Sequence, residues 1–198
     1  TGDMVLGGVT YGWYSRVANL SDPVDFTRTT NYKPWRYYYK VIYAANDVIE
    51  GLGGENAELV SAADKHSMGQ AKALRAYGYF YLLQYFTKKY DPSALSIPMY
   101  LERTDIAKEK VAQSEIYTQI EKDLTESITL LEGFSRANKG MINKPVAQGL
   151  LAYAYAAQGK YDKVLPLTQA ITTTSGFPIT SKVETVRDLH GGTEASGG

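Results

Sequence analysis

Residues 76–87 read AYGYFYLLQYFT, a run with no charged side chain and rings at Tyr77, Tyr79, Phe80, Tyr81, Tyr85 and Phe86. Helical spacing distributes this stretch over every face. Leu74, Tyr77, Tyr81 and Tyr85 form one row, Ala76, Phe80 and Leu83 a second, and Tyr79, Leu82 and Phe86 a third, with Arg75 on that last side. A helix apolar all round is buried all round. The uncharged run falls short of the ~20 residues that a bilayer crossing takes. The expectation is a central helix that starts near Glu55 and covers 67–86, with neighbours on at least two sides. Gly78 lets one neighbour approach closely. A buried guanidinium left unpaired costs several kcal/mol, so Arg75 is expected to act structurally with a carboxylate beside it. Asp47 and Glu50 are the candidates if the first two helices run antiparallel.

Other helices flank this one. Trp35, Tyr38, Ile42, Ala45, Ile49 and Leu52 recur at steps of three and four, which predicts a helix with Pro34 at its start and the glycines of GLGG (51–54) at its stop. Tyr117, Ile120, Leu124, Ile128 and Leu131 predict another over 114–133. Asn143 is a candidate N-cap with Pro145 in the following turn, and that helix stops at Gly159. A last helix runs from Tyr161 to about Thr173 and is bent or shortened by Pro166. The fold class expected is all-α. It divides into an irregular N-terminal segment (1–33), a helical domain (34–175) and a C-terminal segment (176–198) read as the beginning of a further lobe. Residues 87–112, with Pro92 and Pro98, read as a long connection of the kind that carries function.

Composition excludes several chemistries. Acidic and basic residues number 21 each and cysteine is absent, so a nucleic-acid partner, disulfides and thiolate metal sites are not expected. His66 and His190 cannot form an HExxH zinc site, and neither a metal nor a cofactor is expected. Seventeen tyrosines suit packed helices with wet edges, and equally the recognition of sugars or peptides. Tyr11, Trp13 and Tyr14 are candidate ligand-binding rings in the N-terminal segment, which also holds Phe26 and Tyr32. Tyr90 and Asp91 are candidates in the long connection. Asp22, Asp25, Asp91 and Asp105 sit in predicted loops, but nothing pairs them for glycoside hydrolysis. No phosphate loop or nucleophile elbow is present, and an enzyme is not expected.

Residues 150–172, LLAYAYAAQGKYDKVLPLTQAIT, place Leu151, Tyr155, Gly159, Tyr161, Val164 and Ala170 as in a tetratricopeptide repeat, where small and aromatic residues interlock two antiparallel helices. The chain as a whole resembles the SusD/RagB family of outer-membrane glycan-binding lipoproteins of gut and oral Bacteroidetes. Four stretches carry the resemblance in order: WRYYYKVIYAANDVIE, with Ala45 and Asn46; QAKALRAYGYFYLLQYF, with Ala71, Lys72, Leu74, Arg75 and Ala76; SEIYTQIEKDLTESITLL, with Tyr117, Ile120, Asp123 and Leu124; and PVAQGLLAYAYAAQGKYDKV. Family members are more than twice this length, and TKKYDPSALSIP replaces the family's usual Gly-x-x-Pro after the aromatic helix. The chain is therefore expected to be a portion of a longer protein.

The resemblance implies a surface-exposed outer-membrane protein held by an N-terminal lipid anchor, which captures oligosaccharide for a TonB-dependent, SusC-like transporter. It also implies that the repeats mainly support the fold and face the transporter, and that ligand contacts come mostly from loops outside them. A tetratricopeptide scaffold for protein interaction is the alternative that the 150–172 unit favours alone.

Overall fold

The computed structural model describes Ser15, residues 27–103 and residues 106–174. Five helices and one short hairpin follow in order among the described residues: α1 (Thr29–Gly51), α2 (Ala62–Phe86), β1 (Leu95–Pro98), β2 (Lys110–Ala112), α3 (Gln113–Leu130), α4 (Lys144–Ala157) and α5 (Tyr161–Thr174). Each helix packs on the next in the chain, so α2 lies between α1 and α3, and α4 between α3 and α5. The all-α expectation with tetratricopeptide-like pairing holds. None of the described helices is long and apolar enough to cross a membrane.

Helix α1 buries Tyr38, Ile42, Ala45 and Ile49, the stripe read from the sequence, with Asn46 beside it. It ends where Gly53 and Gly54 take φ of 104° and 90°, the left-handed region in which glycine is unhindered. Its start differs from expectation: the helix begins at Thr29, and Pro34 lies inside it. A proline there removes one donor from the ladder near an exposed helix end, a smaller loss than in a helix interior.

Helix α2 begins at Ala62, later than Glu55, because the Ser61 hydroxyl accepts the Asp64 N–H at 3.0 Å and caps it. Ala73, Ala76, Tyr79, Leu82 and Leu83 are wholly enclosed, and each large apolar side chain among them contributes ~1.5–3 kcal/mol. Burial is not complete around the helix. Leu74, Tyr85 and Phe86 are exposed, and Tyr77 and Tyr81 are half-buried, because α1 and α3 occupy two sides only. Gly78 does admit a close neighbour: a Cβ there would stand 2.7 Å from Ile42 Cγ1 and 3.2 Å from the Tyr38 carbonyl.

Within 87–112 the chain forms a small antiparallel sheet, Leu95 opposite Ala112 and Pro98 opposite Lys110, with an irregular register between. It rests against α2 and leads into α3, where the Glu115 carboxylate accepts the Ala112 N–H at 3.2 Å. The Asn143 carboxamide caps α4 through the Val146 N–H at 3.4 Å, as expected. Gly159, at φ 75°, turns α4 into α5, which runs through Pro166 to Thr174.

Candidate functional site

Buried charge gathers at the junction of α1, α2 and α3. Arg75 is fully enclosed. Its Nε donates to Asp123 Oδ2 at 2.8 Å, its Nη2 to Asp123 Oδ1 at 2.6 Å and its Nη1 to Asn46 Oδ1 at 3.1 Å. Glu55 Oε1 lies 2.5 Å from Nη1 as an ion pair. Lys72 is equally enclosed, bonded to Glu55 Oε2 at 3.1 Å and to Glu126. The Arg75 partner is therefore Asp123, with Glu55, and not Asp47 or Glu50. Those two face outward on α1 and hold Arg103: Asp47 accepts from Nη1 at 2.9 Å and Glu50 from the backbone N–H at 3.0 Å.

Burial pushes the Asp123 carboxyl upward, against the pull of the guanidinium's hydrogen bonds and charge. Burial also opposes ionisation of Glu55, but Arg75 and Lys72 together draw it below its ordinary value. Arg75 is held above its ordinary value because its two carboxylates outweigh the desolvation that opposes them.

This network reaches the surface through Asn46. Its carboxamide accepts from Arg75 and donates to the carbonyls of Tyr100 at 3.0 Å and Glu102 at 3.4 Å. The Tyr79 hydroxyl donates to the Tyr100 carbonyl at 2.7 Å and accepts the Tyr100 N–H at 2.6 Å. Tyr39 donates to the Pro98 carbonyl at 2.8 Å. The segment 98–103 is thus fastened along α1 by side chains whose other ends are fixed in the core.

Between that segment and α1 lies a cleft of about 260 Å³, lined by Trp35, Tyr39, Tyr43, Asn46, Tyr100 and Glu102, with Ile42 and Pro98. Trp35, Tyr39 and Tyr43 recur every fourth residue and so share one face of α1. Ring contacts continue along it: Phe86 to Trp35 at 5.0 Å, Trp35 to Tyr39 at 4.8 Å, Tyr39 to Tyr100 at 5.7 Å. Tyr43 accepts the Arg103 Nε–H at 2.9 Å, which leaves its own proton to donate. The Trp35 indole N–H and the Glu102 carboxylate make no side-chain hydrogen bond among the described residues. The cleft thereby offers aromatic faces, two donors and one acidic acceptor, a set suited to a hydroxyl-rich ligand with apolar ring faces.

Tyr11, Trp13 and Tyr14, together with Asp22, Asp25 and Asp105, lie outside the described residues. Tyr90 and Asp91 do not line the cleft. The Tyr90 ring stands edge-on to Tyr117 at 5.1 Å. Asp91 accepts from the Ser93 N–H and hydroxyl at 3.1 and 3.0 Å, bonds that hold its carboxyl below the usual range. The core stripe read from the sequence has Trp35 at its head and passes over Tyr39 and Tyr43; the period-four row of the three is the one signal that could have found them. No group of three or more His, Asp or Glu among the described residues could hold a metal ion.

A SusD-like family model, described as "Starch-binding associating with outer membrane", matches residues 8–158. No curated protein matches the sequence. Among solved structures, a SusD-like carbohydrate binding protein from Bacteroides vulgatus ATCC 8482 superposes with a TM-score of 0.76 at 26% identity, covering 89% of this chain and 38% of that one. A laminarin binding SusD-like protein gives 0.74 at 22%, covering 96% and 41%. A SusD superfamily protein from Bacteroides thetaiotaomicron VPI-5482 gives 0.68 at 22%, covering 77% and 34%. The chain spans about two fifths of the length of the first of these relatives.

Proposed function

The chain belongs to the SusD-like family of starch-binding proteins that associate with the outer membrane, and from that membership we propose that it binds oligosaccharide in the cleft between α1 and residues 98–103. The observation that carries this reading is the Trp35–Tyr39–Tyr43 row facing Tyr100, with the Trp35 N–H, the Tyr43 hydroxyl and the Glu102 carboxylate open to a ligand. A sugar ring stacks its C–H face on an aromatic plane while its hydroxyls meet donors and an acceptor. The cleft holds one carboxylate, Glu102, among the described residues, whereas glycoside hydrolysis takes two across the bond. Capture without turnover is the corresponding activity. On this proposal the protein works in the cell as a lipoprotein at the outer-membrane surface and passes glycan to a TonB-dependent, SusC-like transporter. Tyr11, Trp13, Tyr14, Tyr90 and Asp91 are proposed to add contacts from outside the cleft.

Calorimetric titration with maltooligosaccharides and laminarin oligosaccharides tests the reading. Binding should weaken about tenfold or more in Trp35→Ala, as for other aromatic anchors, and measurably in Glu102→Gln, which leaves packing untouched. No response to either series, or equal affinity in both variants, contradicts it. Co-purification of a TonB-dependent transporter from outer membranes tests the partner.

A further inference from the structure

Away from the cleft, the outer side of α1 carries a second, open depression of about 760 Å³, lined chiefly by Tyr32, Lys33, Arg36, Tyr37 and Lys40 of α1 and Tyr85 of α2. Lys33, Arg36 and Lys40 stand at i, i+3 and i+7, one strip of the helix about 10 Å from end to end. Tyr32, Tyr37 and Tyr85 are 51%, 57% and 60% exposed. Beneath them is a firm floor, with Tyr38 stacked on Tyr81 at 5.6 Å and edge-on to Tyr77 at 5.8 Å.

Charge sets this face apart. Residues 27–46 contain Arg28, Lys33, Arg36 and Lys40 and no acidic residue, in a chain of zero net charge. Lys72, Arg75, Arg103, Lys144 and Lys160 all reach carboxylates. Lys33, Arg36 and Lys40 make no ion pair among the described residues. The contacts of Arg36 are with Tyr32, a 3.4 Å hydrogen bond to its hydroxyl and a place over its ring at 5.9 Å. Those five cations are neutralised locally, whereas Lys33, Arg36 and Lys40, like Lys65 and Lys139, are not; these three differ in standing at regular intervals on one helix among exposed ring faces.

We propose that this face is a second saccharide subsite, selective for anionic chains that carry uronate carboxylates or sulfate esters. The strip of cations takes successive acid groups, and the tyrosines take the apolar faces of the sugars between them. The proposal rests on the carbohydrate-binding reading above and adds the charge of the ligand.

The test is calorimetric titration of the chain with oligogalacturonate and with sulfated heparin oligosaccharides, beside uncharged laminarin oligosaccharides, at low and raised salt. The acidic probes should bind, and salt should weaken them. The triple variant K33Q/R36Q/K40Q should lose about tenfold to a hundredfold in affinity for them, with its circular dichroism unchanged. The control K65Q/K139Q should retain it, and the laminarin response should not differ between variants. Equal loss in triple variant and control overturns the proposal, as does unaltered acid binding in the triple variant. A response to laminarin alone overturns it and leaves the carbohydrate reading standing, whereas silence to every probe and to maltooligosaccharides overturns both. Capture by phosphatidylglycerol vesicles that the triple variant loses, with no saccharide response, assigns the face to a lipid surface and overturns it too.

Discussion

The junction of α1, α2 and α3 and the pairing of α4 with α5 solve one problem, packing helices that follow each other in sequence, by different means. The first encloses Arg75, Lys72, Asp123 and Asn46 among its apolar side chains. Helix α4 buries only small and aliphatic residues, Ala147, Leu151, Ala152 and Ala154, three of which join the apolar core of α2 and α3, and among the described residues neither α4 nor α5 buries a charged side chain. Buried ion pairs add little net stability, because desolvation offsets their attraction. Their presence at the first of these junctions and not at the second, among the described residues, points to a use other than adhesion. There the network ends on the carbonyls of Tyr100 and Glu102, so the charges fix the wall of the cleft, while the α4–α5 pair only needs to pack.

The largest break in that comparison is Asp123→Ala. It leaves the Arg75 guanidinium short of its main partner, and urea unfolding should show a loss of about 3–5 kcal/mol. Leu151→Ala removes packing from α4 without touching charge. It should lose about 2–4 kcal/mol, with amide exchange rising most in α4, whose buried face joins the core of α2 and α3. A result in which Asp123→Ala is the milder of the two would remove the distinction between the junctions.

A smaller, pH-dependent effect sharpens it. Burial, with neighbouring tyrosines, pushes the Tyr38 hydroxyl up to about 12, and burial likewise raises Tyr39, Tyr77, Tyr79 and Tyr117, against Tyr155 alone in α4. Such groups ionise near 10 in the unfolded chain and stay neutral in the folded one. Their stabilising contribution is therefore whole below pH 10 and is lost as pH rises towards 12. Alkaline titration followed by amide exchange should open α1–α3 before α4–α5; simultaneous opening counts against the asymmetry.

What the sequence disclosed follows the same division. The place of α2 was readable from a run that no solvent-facing helix would carry, and Asn143 and Gly159 from cap chemistry. The Arg75 partner was not, because Asp123 lies 48 positions away on α3 and helix order alone favoured the nearer carboxylates of α1. A signal did exist: Asp123 falls on the buried side of the Tyr117–Ile120–Leu124 stripe, where a carboxylate needs a cation. The hairpin was illegible because its strands span four and three residues, too few for a period to show. The cleft escaped notice because one of its walls is backbone, whose position depends on Asn46 and Tyr79 and leaves no trace in local pattern.

Deuterium uptake by peptides covering residues 98–103, compared between the native chain and Asn46→Ala, tests most directly whether the core network holds the cleft wall. The account predicts faster uptake in this segment, with α4 and α5 unchanged. Uptake that stays the same in 98–103, or rises equally throughout the molecule, would contradict it.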